Sequence, residues 1–485
     1  MFYKDHIKRK RQRIAGILLA IIFAIGIGYL VAGGGVKVGL ILVVLPPISV
    51  VLMFSLRSPA ILMHLVLILG FLITLLSRYV PGDIPFGLTI DGLLVLVIIA
   101  LLFHNKEKFE LKFLTNGVSL VLLIWLVFSF IEIANPLAKS KVAWFYANRG
   151  LSFYPVLLAI LTIYLYRDHK YLKAFLIIWA VFSVFGTLWG IKQLVFGVSL
   201  TEKRWLDQGA ASTHMLFGKL RIFSFYSDAA QFGASQAHTS LVFGILGLYT
   251  KSNRYRIAFL IIAALSFYGM LISGTRGALG VLALGGFTYF IMTKKVKIVL
   301  IGAIVASSVF IFLKYTTVMQ NNYQISRMRT ALRDDDPSMM VRKNREAILF
   351  NYLADKPIGG GIGSAGYWGR RFNPGTVLAN LGTDGHYTRI WMETGIIGLL
   401  LYLAMLLTIA IYLGYRLWYM PDSLTRQALV AIYSGFIGVC VASYTNGLLT
   451  QIPTGVLIFI GLGLVYLGTE GELGAEGSSR IVKNN

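Results

Sequence analysis

The chain has 485 residues, of which 56% are hydrophobic and only 14% charged, and its mean hydropathy is +0.72. That much apolar surface excludes a soluble globular protein and fits a chain for which the bilayer is the solvent. Lys and Arg outnumber Asp and Glu by 45 to 21, a formal charge of +24, and in a membrane protein this surplus points to anionic lipid or an anionic substrate group rather than nucleic acid.

Taken in order, the apolar runs predict an all-α fold, a polytopic transmembrane helix bundle of about 12–14 spans, at roughly twenty residues per crossing. The basic start, Lys4 and Lys8–Arg13, leads into an apolar run from Ile14 to Ala32 that lacks a small-x-small cleavage site, so an uncleaved first span is expected. Further spans are expected at 37–56, 59–77, 87–104, 114–134, 151–166, 172–196, 229–250, 257–273, 277–293, 297–313, 390–414, 428–448 and 453–469. Pro46–Pro47 would kink the second, and Gly280–Gly286 suggests close helix contacts. The single cysteine, Cys440, falls in one of these runs, which rules out an intramolecular disulfide and a cysteine-cluster metal site. Four segments follow: 1–313 as the first part of the bundle, 314–389 as an extracytoplasmic loop domain, 390–469 as the rest of the bundle, and 470–485 as a cytoplasmic tail. The Gly/Ser/Glu-rich tail reads as disordered.

Charge sets the orientation. A cytoplasmic N-terminus places Lys106/Lys108/Lys112, Arg167/Lys170/Lys173, Lys251/Arg254/Arg256, Lys294/Lys295/Lys297 and Arg416/Arg426 in the cytoplasm, with Arg57 alone in the one sparse connection. The longer loops 136–150, 197–228 and 314–388 then fall outside, and an even span count returns the C-terminus to the cytoplasm. In the largest loop, Asp336–Pro337–Ser338 reads as a helix start, a capping acceptor before a proline at the first helical position. The helix should run from Pro337 to Ala354, with Arg342 and Arg345 on one face and Val341, Ile348 and Tyr352 as an apolar stripe resting on the membrane part. Lys356–Pro357 and the cluster Gly359–Gly360–Gly361–Ile362–Gly363 follow, a turn whose backbone can come close to a ligand; no Gly-Lys-Ser/Thr follows, so it is no Walker loop.

Arginines gather on this side. Arg221 stands just before a span, and Arg276 at the tip of the hairpin Ser273–Gly274–Thr275–Arg276–Gly277. A guanidinium there must face protein, a cavity or a headgroup, and its planar fork suits diphosphate oxygens. Asp384–Gly385–His386 offers a proton acceptor in either the imidazole or the carboxylate, while Thr383 or Asp384 can also simply cap the following span. Glu393, inside that span, needs a partner or a wet cavity. Asp334–Asp335–Asp336 reads as a solvated turn; no metal and no cofactor is expected.

The order of these pieces resembles the O-antigen ligase and Wzy-type polymerase superfamily of bacterial membrane glycosyltransferases. Four segments carry the likeness: Arg221 with Phe223–Ser224–Phe225–Tyr226–Ser227–Asp228; Ser273–Gly274–Thr275–Arg276–Gly277–Ala278; Asp336–Pro337–Ser338 through Arg342 with Lys356–Pro357–Ile358–Gly359–Gly360–Gly361–Ile362–Gly363; and Asp384 to Gly398 with Glu393–Thr394–Gly395. One departure stands out: Asp384 occupies the position where the family usually has a histidine, and His386 lies two residues later. The resemblance implies metal-independent, inverting glycosyl transfer on the outer face of the bacterial inner membrane. It implies an undecaprenyl-diphosphate-linked glycan as donor, and as acceptor a sugar hydroxyl on another glycan or on lipid A–core. By the same likeness Arg221, Arg276, Arg342 and Arg345 bind the diphosphate, His386 or Asp384 activates the acceptor, and Gly359, Gly361 and Gly363 form the glycine turn. The rival is a lipid-linked glycan transporter or flippase, but related halves with midplane ionisable residues, expected of one, are not visible here.

Overall fold

The computed structural model describes residues 58–80, 85–104, 113–216, 218–320, 323–330, 337–382, 385–471 and 473. The expected spans at 14–32 and 37–56, the basic start, Lys106/Lys108/Lys112, Asp334–Asp336, Asp384 and the tail beyond residue 473 lie outside the described residues. Two compact units divide the chain: residues 1–62 with 95–106, and residues 63–94 with 107–485. The first is described only in its helical stretches near residues 59–62 and 95–104; the architecture below belongs to the second.

The fold is all-α. In chain order the helices are α1 (Pro59–Tyr79), α2 (Gly87–His104), α3 (Gly117–Ile131), α4 (Lys141–Asn148), α5 (Tyr154–Leu165), α6 (His169–Phe196), α7 (Leu200–Trp205), α8 (Ala211–His214), α9 (Ala229–Tyr249), α10 (Asn253–Ile272), α11 (Ala278–Thr293), α12 (Val296–Tyr315), α13 (Tyr323–Thr330), α14 (Pro337–Leu353), α15 (Gly366–Phe372), α16 (Val377–Asn380), α17 (His386–Tyr419), α18 (Leu424–Ala442) and α19 (Thr454–Thr469). Among the described residues the strands are one short antiparallel pair, Met215–Leu216 with Lys219–Leu220. Each expected span that falls within the described residues is a helix, and seven helical stretches there are long and apolar enough to cross a membrane. One of them begins well before residue 151: α4 and α5 are joined through a π-helical turn, Arg149–Phe153, into one stretch from Lys141 to Leu165. Arg149 at this turn pairs with Asp91 at 2.7 Å and reaches the Gly87 carbonyl.

Helix starts follow the capping residues of the sequence. Asn116, Ser140, Asp168, Asp228 and Ser423 each accept a backbone N–H of the first turn that follows. α9 is polar for a bundle helix, yet it is buried: Gln231, Ser235, Gln236, His238 and Thr239 are all inside. Its hydroxyl and amide groups are matched by neighbouring segments, with Trp179 donating to Thr239 at 2.9 Å and Gln236 donating to the Ser183 carbonyl at 3.1 Å. Small residues bring the neighbours close, as expected around Gly280–Gly286: a Cβ on Gly438 of α18 would lie 2.5 Å from the Val281 carbonyl oxygen of α11.

α14 is the helix expected from residue 337. Its buried face differs from the expected one: Leu349 and Leu353 are inside, with Ala365, Leu378 and Met392, and Tyr352 packs at the edge, whereas Val341 and Ile348 are more than half exposed. The segment through α15 and α16 folds back and supplies apolar cover on the Leu349/Leu353 side, four residues apart on one helix face. Arg342 and Arg345, seven and four residues before Leu349, lie on this same face one to two turns nearer the start of the helix.

Candidate functional site

Four chain segments distant in sequence meet at one end of the bundle. The first carries Arg221, whose backbone N–H donates to the His214 carbonyl. Its guanidinium donates to the Thr213 carbonyl at 3.3 Å and to the Thr275 hydroxyl at 3.2 Å. Below it, the turn 222–228 is clamped by Arg78 at the end of α1. That guanidinium lies over the Trp205 and Phe223 rings and donates to the carbonyls of Ser224, Tyr226 and Ser227. A half-buried guanidinium whose terminal nitrogens are taken up by three backbone oxygens fixes the turn before any ligand arrives.

The second segment is the hairpin 273–277. Thr275 donates to the Ala229 carbonyl at 2.8 Å, which fastens the hairpin to the start of α9. Arg276 is half-buried, and its pKa is lowered first by burial, then by the like charges of Arg327 on α13 and Arg342 on α14. Arg327 also donates its Nε–H to the Gly274 carbonyl. Three guanidinium groups thus sit within one another's field, with Arg221 bonded to the residue beside the central one.

α14 is the third segment. The Arg342 Nε is buried and has no hydrogen-bond partner among the described residues. Arg345 packs over Gly382, where an added Cβ would lie 2.7 Å from its Cζ. Glu346, next on the helix, accepts the Tyr444 hydroxyl hydrogen at 3.2 Å. Tyr444 begins the fourth segment, the connection after α18. A Cβ on Gly277 would meet Thr445 and come within 2.8 Å of Asn446 Nδ2, and the Tyr444 hydroxyl feels both Glu346 and Arg342. Gly277 against Thr445, Tyr444 bonded to Glu346, and Arg342 in the field of Arg276 bring these segments into one ring of neighbours.

The predicted glycine turn lies apart from this ring. Gly359, Gly361 and Gly363 are buried, all at positive φ (70°, 86° and 84°). What approaches them is the chain itself: a Cβ on Gly359 would lie 2.8 Å from Glu393 C, one on Gly361 2.9 Å from Ala138 Cα, and one on Gly363 2.5 Å from the Ala143 carbonyl. The turn is a clasp rather than a cradle. Gly360 donates to the Met392 carbonyl and Ile397 to that of Pro357, which repairs the helix ladder where Gly395 breaks α17. Glu393 is buried here and has the partner it requires: Arg389 Nε lies 3.0 Å from its Oε1, one turn away on the same helix.

His386 does not reach the ring. It is 1% exposed, and its Nε2 sits 3.0 Å from the Tyr402 hydroxyl inside the bundle. The imidazole is enclosed by the rings of Tyr387 and Tyr402. Thr383 and Asp384, the expected caps of this helix, lie outside the described residues. Gly385 holds the N-cap of α17 with no side-chain bond, and the His386 N–H is satisfied by the Ser443 carbonyl at 2.9 Å instead.

Sequence reasoning brought Arg221, Arg276, Arg342 and Arg345 to this end of the molecule. It missed Arg327, Glu346, Tyr444 and Arg78. Arg327 sits in a polar arginine-bearing stretch and Tyr444 in a polar break between two apolar runs, so both carried a weak signal. Nothing in the sequence marks which of many basic loop residues meet.

Two comparisons bear on this arrangement. Residues 258–403 match a family model described as O-antigen ligase. The chain is also 31% identical over 196 residues to an O-antigen polymerase from Salmonella muenchen, a match covering 38% of this chain and 45% of that protein. The chain thus spans about half the length of that relative. Residues 258–403, which hold Arg276, Arg327, Arg342, Arg345 and His386, are thus similar to the O-antigen ligase family.

Proposed function

We propose that this chain is a membrane glycosyltransferase of the bacterial inner membrane. It moves a glycan from an undecaprenyl-diphosphate carrier to a sugar hydroxyl on the outer face, the acceptor being another carrier-linked glycan or lipid A–core. The observation that supports this reading best is Arg276 held in the field of Arg327 and Arg342, with Arg221 bonded to its neighbour Thr275. Like charges gathered by four chain segments are an arrangement that an anion stabilises, and the planar fork matches diphosphate oxygens. During transfer the bond between the anomeric carbon and the diphosphate oxygen breaks with inversion, and the guanidinium groups neutralise the charge that develops on the leaving group. They do so without a metal ion. Preorganised donors of this kind are worth about 2.7–4 kcal/mol each in the transition state. Alternation of basic connections places the ring outside and both termini in the cytoplasm.

The test is a reconstituted reaction in lipid vesicles with a lipid-linked glycan. Arg276→Ala should lower transfer by roughly 10²–10³-fold, the usual loss for one oxyanion-type donor, while the protein still melts cooperatively. Normal chain lengthening or normal transfer to lipid A–core by that variant overturns the reading. Defective translocation with transfer intact would identify a flippase instead.

A further inference from the structure

The ring contains a carboxylate, and the imidazole expected to accept a proton is buried away from it. We propose that Glu346 is the general base of the transfer, the group that takes the proton from the acceptor hydroxyl. This rests on the glycosyltransferase reading above and assigns a second half-reaction to the same site. Glu346 lies four residues after Arg342 and one after Arg345, so the helix that carries the cations delivers the carboxylate to the same edge. Its Oε1 accepts the Tyr444 hydroxyl at 3.2 Å, and Tyr444 stands beside Thr445, which abuts the Arg276 hairpin. A base must reach the acceptor hydroxyl as it attacks the anomeric carbon, and Glu346 stands on the helix that carries two of the cations, with one oxygen oriented by a phenol.

Three other described carboxylates of these segments, Asp228, Glu202 and Asp355, are already engaged. Asp228 caps α9 through Oδ1, at 2.8 Å from the Gln231 N–H, and its Oδ2 accepts from Ser227 and Gln451. Glu202 is 1% exposed and takes the Ser199, Trp189, Gln193 and Lys192 donors. Asp355 is exposed and paired with Lys356. Glu346 is half-buried, on the face of α14 that also carries Arg342, Leu349 and Leu353.

The step balances with the groups in place. The acceptor oxygen forms a bond to the anomeric carbon as the bond from that carbon to the diphosphate oxygen breaks. The electron pair of the broken bond leaves on the diphosphate, and the acceptor proton passes to a Glu346 carboxylate oxygen. Tyr444 keeps its hydroxyl hydrogen on the other oxygen and acts as a positioning residue.

Glu346→Gln keeps the size and the Tyr444 contact but cannot take a proton. It should slow turnover by roughly 10²–10⁴-fold, the usual worth of a positioned base, with affinity for the lipid-linked donor unchanged. Glu346→Ala with added formate should recover part of the rate, which a merely structural role would not produce. The assignment is overturned if Glu346→Gln transfers at the parental rate while Arg276→Ala does not, if its slow turnover comes with lost donor binding and no rescue by formate, or if Asp384→Asn alone produces the loss and the rescue. Normal transfer by Arg276→Ala would instead remove the glycosyltransferase reading itself, whatever Glu346 does.

Discussion

Gly395→Ala is the sharpest test of how the extramembrane loop is mounted. Gly395 interrupts α17 at φ 64° and ψ −167°, a conformation held essentially only by glycine. An added Cβ would collide with the Pro357 carbonyl and lie 2.5 Å from Gly359 N, so what stands in its way is backbone of the clasp that cannot rotate aside. Two contributions add: about 1–3 kcal/mol for the strained backbone and about 1–3 kcal/mol for overpacking. The loss should therefore be about 2–6 kcal/mol. Gly286→Ala is the matched control. It lies inside α11 with open space where the Cβ would go, and there alanine should stabilise the helix by up to about 1 kcal/mol. Heating the purified protein in detergent with a thiol-reactive dye reads both variants through Cys440, the chain's single cysteine. Gly395→Ala should label at lower temperature than the parent and Gly286→Ala at the same temperature or higher. Equal melting of Gly395→Ala and parent would refute the clasp.

His386→Gln should lower the melting temperature through loss of the Tyr402 bond, roughly 1 kcal/mol, yet leave turnover per folded molecule near the parental value; a well-folded, inactive His386→Gln protein would restore the imidazole as base. A pH dependence follows from His214, packed against Trp205 and Phe223 under the Arg221 strand. Burial lowers its pKa from 6.5, the nearby Arg221 and Arg78 charges add to this, and the Ala210 carbonyl and Asp228 oppose it. The unfolded chain therefore binds more protons, so stability rises with pH: the contribution is complete above 6.5 and is lost as pH falls toward the lower folded value. Melting temperature should decline on acidification through that window, and His214→Gln should flatten the decline; an unchanged slope in the variant refutes it.

Periodic apolar runs and capping residues made the helices legible, because a lipid-facing or bundle-facing helix must be apolar along most of its length and must satisfy its first N–H groups. Pro337 at the head of α14 was readable for that reason. The facing of α14 was not. Leu349 and Ile348 are neighbours with similar side chains, and which of them is buried depends on a segment that returns thirty residues later to cover one side. The glycine turn was legible as a close approach, since positive φ needs glycine, but not as an approach to Glu393, Ala138 and Ala143 instead of to a ligand. His386 misled for a related reason. A polar residue at the head of an apolar run reads the same whether it faces water or a buried phenol such as Tyr402.

The guanidinium ring has a consequence for the end of the catalytic cycle. A diphosphate esterified at both ends carries less negative charge than the carrier diphosphate left once the glycan has departed. The same ring therefore grips the spent carrier more firmly than the loaded one. On the proposed chemistry the slow stage of each turnover is letting go of the emptied lipid, as in many enzymes whose pace is set by product release. Added salt, by screening that grip, would then quicken steady-state turnover even as it weakens capture of the donor.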